Sequence, residues 1–174
     1  MLNKESIIGI KSRLKNLKSK ILYRLDPIKE SRNLGVKIGE KCRLVGFVNW
    51  GSEPYLINIG NHVSITSSKF VTHDGGLWVF REEEPNIDSF NPITIGSNIF
   101  IGTDCIIMPG TIINDNVIVG AGSIVKGELA SNSVYAGIPA RKIKNLEEYK
   151  TDISENLIQT KNLEPKKKKN ILIK

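Results

Sequence analysis

The chain has 174 residues, 40% hydrophobic and 25% charged, with a formal net charge of +7. That length is enough for one domain with a proper core. No run of about 18 apolar residues predicts a transmembrane helix, and two cysteines, Cys42 and Cys105, make no disulfide framework. Residues 1–30 carry eight Lys/Arg against three Asp/Glu, and residues 141–174 carry ten against five. Residues 31–140 are therefore net acidic, which excludes a basic nucleic-acid platform there, and the basic flanks read first as solvated. The opening MLNKES has no apolar signal-peptide core, so a cytoplasmic setting is expected.

Residues 4–25 place Ile7, Ile10, Leu14, Leu17, Ile21 and Leu25 at helical spacings of three and four, with basic residues opposite. The spacing predicts an amphipathic helix that stops near Asp26-Pro27, because proline disfavours helix in the residue before it. Its expected task is to cap the coil that follows or to pack on a neighbouring subunit. Peripheral contact with the inner face of a membrane, through the basic flanks, is the alternative.

A first irregular coil begins near Val36, with Ile38 and Leu44 facing inward, followed by Ile59, Ile65 and Val71. Extending this ladder would put Glu83 inside an aliphatic core, which is too costly for a carboxylate. Residues 77–91 are thus expected to leave the core as a loop and rejoin at Pro92-Ile93. Loops of this length without secondary structure are usually functional. The interval from Ile59 to Ile95 is twice eighteen, so the repeat keeps its phase across the interruption.

Residues 95–130 read in sixes: IGSNIF, IGTDCI, IMPGTI, INDNVI, VGAGSI and VKGELA. The first place is always aliphatic (Ile95, Ile101, Ile107, Ile113, Val119, Val125). The fifth is small or apolar (Ile99, Cys105, Thr111, Val117, Ser123, Leu129). Neither a helix nor a half-buried strand has that period. A solenoid does: each hexad is one flat side, and glycine or asparagine turns the corner. Three sides make a triangular prism, and first-place and fifth-place side chains fill its narrow interior. The predicted fold is an all-β solenoid, a left-handed parallel β-helix, with an N-terminal amphipathic helix, a protruding loop and a C-terminal helical and basic tail. Cys105 is then a core residue. After Ala130 the ladder is expected to end in a Gly-Ile-Pro turn, with a helix over 145–163 and a mobile tail, PKKKKNILIK. The expected division is a helical cap over 1–30, the β-helix over 31–140 and the tail over 141–174.

Three blocks, the hexads, FVTHDGG (70–76) and SVYAGIPARKI (133–143), resemble the hexapeptide-repeat acyltransferases. The resemblance is to the branch of sugar and xenobiotic O-acetyltransferases, and most of all to bacterial surface-polysaccharide acetyltransferases. It covers residues 36–143 and implies a homotrimer that moves acetyl from acetyl-CoA to a saccharide hydroxyl; no metal is expected, since the chain has only two histidines. Antibiotics, or the amino group of a nucleotide-linked sugar, are the competing acceptors. A scaffold or membrane-surface protein is the non-enzyme alternative.

The resemblance implies that His73 is the general base, and an imidazole suits proton removal from a hydroxyl near neutral pH. Its orienting partner is either a backbone carbonyl or one of the nearby acids Asp74, Glu82, Glu83, Glu84 and Asp88. Glu53 is a candidate for acceptor contacts, and Trp50 and Trp78 offer flat faces for a sugar ring. His62 lies at a hexad corner and reads as part of the ladder. With His62 and His73 as the only histidines, a three-histidine zinc site is not expected. By the resemblance, Phe100 lies beside the acetyl end of the coenzyme. Gly102, Ala121 and Gly122 would meet its pantetheine arm, and Arg141, Lys142 and Lys144 its phosphates. Lys126 stands where relatives carry threonine.

Overall fold

A computed structural model of the chain describes residue 19 and residues 21–173. Most of the expected amphipathic helix lies outside them. Residues 21–25 are helical, and the helix breaks at Asp26 as expected from Pro27. The proline then opens a second helix, α1 (Pro27–Asn33), where its missing N–H costs nothing, and the Asp26 carboxylate accepts from Lys29 N at 2.9 Å as the N-cap.

From there the strands step through three sheets in turn. The first sheet takes β1 (Lys37–Ile38), β3 (Ile57–Ile59), β6 (Ile93–Ile95), β9 (Ile112–Ile113) and β12 (Glu128–Leu129). The second takes β2 (Arg43–Val45), β4 (Val63–Thr66), β7 (Ile99–Ile101), β10 (Val117–Val119) and β13 (Ser133–Gly137), and the third β5 (Lys69–Phe70), β8 (Ile106–Ile107) and β11 (Ile124–Val125). All these pairings are parallel. All twelve first-place and fifth-place side chains of residues 95–130 are at most 3% exposed. Their burial against one another is the main stabilising term, about 25 cal/mol per Å² of apolar surface. At one column of corners His62, Asn98, Asn116 and Asn132 share a left-handed φ of 56° to 59°. Their side chains link in a ladder: His62 to Asn98 at 2.9 Å, Asn98 to Asn116 at 2.8 Å and Asn116 to Asn132 at 2.9 Å. His62 is thus a corner residue.

The hexad phase slips in three places. Phe70, and not Val71, pairs with Ile107 and points inward, because its ring packs on Trp50 at 4.8 Å between centroids. Ile59 pairs directly with Ile95, so the interval between them is one coil plus an excursion rather than two coils. Leu129 pairs with Ile113, which makes the corner at Gly127 two residues shorter than a strict repeat.

Both ends are covered. Trp50, 3% exposed, donates from Nε1 to Ser31 Oγ at 2.9 Å, which makes it a core residue and not a sugar platform. Tyr23 Oη accepts from Val48 N at 3.0 Å. At the far end the ladder runs past Ala130 through β13, and the Gly-Ile-Pro turn returns it as the antiparallel β14 (Ala140–Asn145). The helix that follows, α2 (Leu146–Ile153), is shorter than expected, because the apolar pattern weakens beyond it. The lysine-rich tail forms its own helix, α3 (Pro165–Leu172), opened by proline at its first position. No helix among the described residues is long and apolar enough to cross a membrane.

Candidate active site

Between the third and first sheets the chain usually turns on a left-handed glycine, Gly51, Gly110 or Gly127. After β5 it runs outward instead. The neck of the excursion is zipped: Asp74 N donates to Ser89 O at 3.0 Å, Asn91 N to Thr72 O at 2.9 Å, and His73 bridges Phe90. Inside, a 3-10 helix over Gly75–Phe80 is capped by the Asp74 carboxylate, which accepts from Gly76 N at 2.9 Å. Arg81 staples the return by donating to Pro85 O at 3.1 Å and to Asp88 Oδ1 at 2.6 Å. The expected loop is therefore ordered by its own side chains.

The carboxylate that meets His73 is that of Glu53, from the preceding coil. Glu53 Oε2 lies 3.1 Å from His73 Nδ1 and accepts from Thr72 Oγ1 at 2.6 Å. Gly51 lets the two coils stack closely beside this pair, since a Cβ there would lie 2.9 Å from Phe70 O at a φ of +73°. The Thr72 hydroxyl holds the Glu53 carboxyl below its ordinary range; burial opposes this, and His73 adds to it. An ionised carboxylate only accepts, so the network assigns the proton of a neutral imidazole to Nδ1 and leaves the Nε2 lone pair bare. Among the described residues Nε2 has no hydrogen-bond partner. The Glu53 side chain is 14% exposed and that of His73 42%.

His73 opens into a cleft of about 430 Å³ walled by Ser52, Glu53, Trp78, Arg81 and Phe90. Trp78 is 77% exposed, and the Phe90 ring stands edge-on to the imidazole at 6.4 Å. Of the other acids expected near His73, Asp74 is spent as a cap and Asp88 on Arg81, while Glu82, Glu83 and Glu84 do not line the cleft. Sequence reasoning missed Thr72 and Phe90. The residue before the histidine was the available signal for Thr72; nothing in the pattern singled out Phe90. A larger cavity of about 640 Å³, beside Tyr23, Leu44 and Phe47, has no carboxylate, imidazole or thiol in its walls.

Residues 92–127 match the family described as bacterial transferase hexapeptide, six repeats. The chain is 48% identical to Protein CapG of Staphylococcus aureus over 163 residues, 92% of this chain and 95% of that one. The chain belongs to the hexapeptide-repeat acyltransferases. It is also 38% identical to the galactoside O-acetyltransferase of Escherichia coli K12, over 54% of this chain and 46% of that protein. Among solved structures it resembles a maltose O-acetyltransferase from Clostridium difficile 630, with a TM-score of 0.54 and 26% identity, covering 74% of this chain and 84% of that one.

In this hexapeptide-repeat acyltransferase the residues expected along the coenzyme do not share the cleft of His73. Phe100, 41% exposed on β7, lines a separate groove of about 470 Å³ on the second sheet with Arg43, Ser64 and Ile118. Gly102 is buried at a corner, where an added Cβ would lie 2.5 Å from Ala121 N, so close stacking of coils already requires glycine there. Ala121, Gly122 and Lys126 are exposed near the same end, as are Arg141 and Lys142 on β14. Lys144 is engaged by Asp152, which raises its pKa and leaves it less available to a phosphate.

Proposed function

We propose that the chain is an O-acetyltransferase that moves acetyl from acetyl-CoA to a hydroxyl of a saccharide belonging to a surface polysaccharide or its precursor. The observation that carries this reading is the Glu53–His73 pair opening into a cleft edged by Trp78 and Phe90. A hydroxyl is a poor nucleophile until a base takes its proton. His73 Nε2 accepts that proton as the oxygen bonds to the acetyl carbon. The carbon–sulfur bond then breaks, and His73 returns the proton to the departing thiolate. Glu53 keeps the imidazole in the competent tautomer and stabilises its charged form. The relatives named for galactoside and maltose O-acetylation support a sugar acceptor, and aromatic edges suit the apolar faces of sugar rings.

The same reading includes a left-handed coil and a homotrimer. Phe100 and the cleft of His73 lie on different sides of one chain, so a site joining them would be completed by a neighbouring copy. Arg141 and Lys142 fit the coenzyme phosphates as exposed cations on β14. Thiol release from acetyl-CoA, screened against nucleotide sugars, lipid-linked oligosaccharides and antibiotics, tests the proposal. Turnover is expected with a saccharide; turnover confined to an antibiotic, or no binding of coenzyme A by calorimetry, would overturn it.

A further inference from the structure

We propose that Thr72 is a positioning residue for the acyl transfer: its hydroxyl fixes Glu53, which in turn fixes the His73 imidazole. The inference rests on the reading of His73 as base. Thr72 is fully buried, at 0% exposure, in a position that a valine would fill equally well by shape. A buried hydroxyl needs a partner, and for five others among the described residues the partner is the main chain. Ser31, Ser68, Thr111, Ser123 and Ser133 each donate to a backbone carbonyl. Thr72 instead donates to Glu53 Oε2 at 2.6 Å, the same oxygen that meets His73 Nδ1 at 3.1 Å. The backbone of Thr72 is itself held, since its carbonyl accepts from Asn91 N at 2.9 Å across the neck of the loop.

A glutamate has three rotatable side-chain bonds, and one bond to an imidazole that is itself partly exposed does not restrain them. The hydroxyl supplies the second point of attachment, from a rigid coil. It also anchors the oxygen that accepts from Nδ1–H, so losing it frees the imidazole to sample the other tautomer and other ring angles.

The test compares Thr72→Val, which keeps the β-branched shape, with Thr72→Ser, which keeps the hydroxyl. Two readouts are taken: steady-state kinetics, and the ring nitrogen shifts of the imidazole by NMR. The chain has two histidines, so a His62→Asn background leaves one signal. Thr72→Val is expected to lower kcat about tenfold with the KM for acetyl-CoA unchanged, as for loss of a bond to a charged group. Its nitrogen shifts should move from the Nδ1–H form toward a mixture of tautomers, and Thr72→Ser should restore both. Wild-type kcat and shifts in Thr72→Val, or Thr72→Ser failing as Thr72→Val does, overturn the inference. If Thr72→Val misfolds by circular dichroism, Thr72→Ala is read against Thr72→Ser in the same way. The two readings fail separately: wild-type turnover in His73→Ala removes the base, whereas unmoved nitrogen shifts remove the role of Thr72.

Discussion

Glu53 Oε2 and His73 Nδ1 meet at 3.1 Å although 20 positions separate them, because each sits at the third corner of its own coil. Stacking one coil on the next converts a sequence interval of about one turn into a side-chain contact. The fold thereby supplies both members of an acid–imidazole pair on rigid backbone, which is what a preorganised base requires.

His73→Ala should lower kcat by about a hundredfold or more, the usual contribution of a positioned base. Its side chain is partly exposed and outside the aliphatic interior, so the fold, and the proposed trimer with it, should persist. Size-exclusion chromatography with light scattering, run beside the kinetics, separates the two effects; wild-type turnover would remove the imidazole from the mechanism.

Glu53→Gln should lower kcat at least about tenfold, because an amide can donate to Nδ1 and stabilise the wrong tautomer. The carboxyl also carries a pH signature. Its folded pKa lies below the ordinary value of 4.5, chiefly through the Thr72 hydroxyl, so its stabilising contribution is complete above that value. It is lost as pH falls through the lowered folded value. Thermal unfolding of wild type and Glu53→Gln should therefore differ near neutrality and converge in acid. A difference that stays constant from neutral pH to about pH 3 would contradict the pairing.

The repeat over residues 95–130 was legible because a narrow interior admits only aliphatic and small side chains at two places in six, and the chain states that rule six times. The exit of the loop was legible because Glu83 has no place inside. The site was half legible. His73 stands out by residue type and context, whereas the sequence shows Glu53 only as a candidate for acceptor contacts, since partners across stacked coils are fixed by corner lengths that the pattern does not display. Corner length also explains Val71, which a strict count of six turns inward while Phe70 takes that place on the ladder.

That slip has a measurable consequence. Phe70→Ala should cost about 3–5 kcal/mol, the range for emptying an aromatic site in a packed core. Val71→Thr, at a half-buried position just past β5, should stay within about 1 kcal/mol. Denaturant unfolding of the two variants decides the register; the reverse order of stabilities would place Val71 in the interior and return the chain to a strict count.

On the proposed reading, Trp78 serves acceptor binding and not the chemistry. It projects from the 3-10 helix of the excursion with 77% of its surface exposed, so truncation removes little packing. Removing a face that binds the sugar equally well before and during reaction raises KM without lowering kcat. Trp78→Ala should accordingly raise the acceptor KM by about tenfold, corresponding to loss of about 1.4 kcal/mol of contact. The KM for acetyl-CoA and the unfolding temperature should stay near wild type. A fall in kcat with unchanged acceptor KM would instead tie the loop to the transition state, through Arg81 and the return of the chain to Phe90, and would move the acceptor platform elsewhere in the cleft.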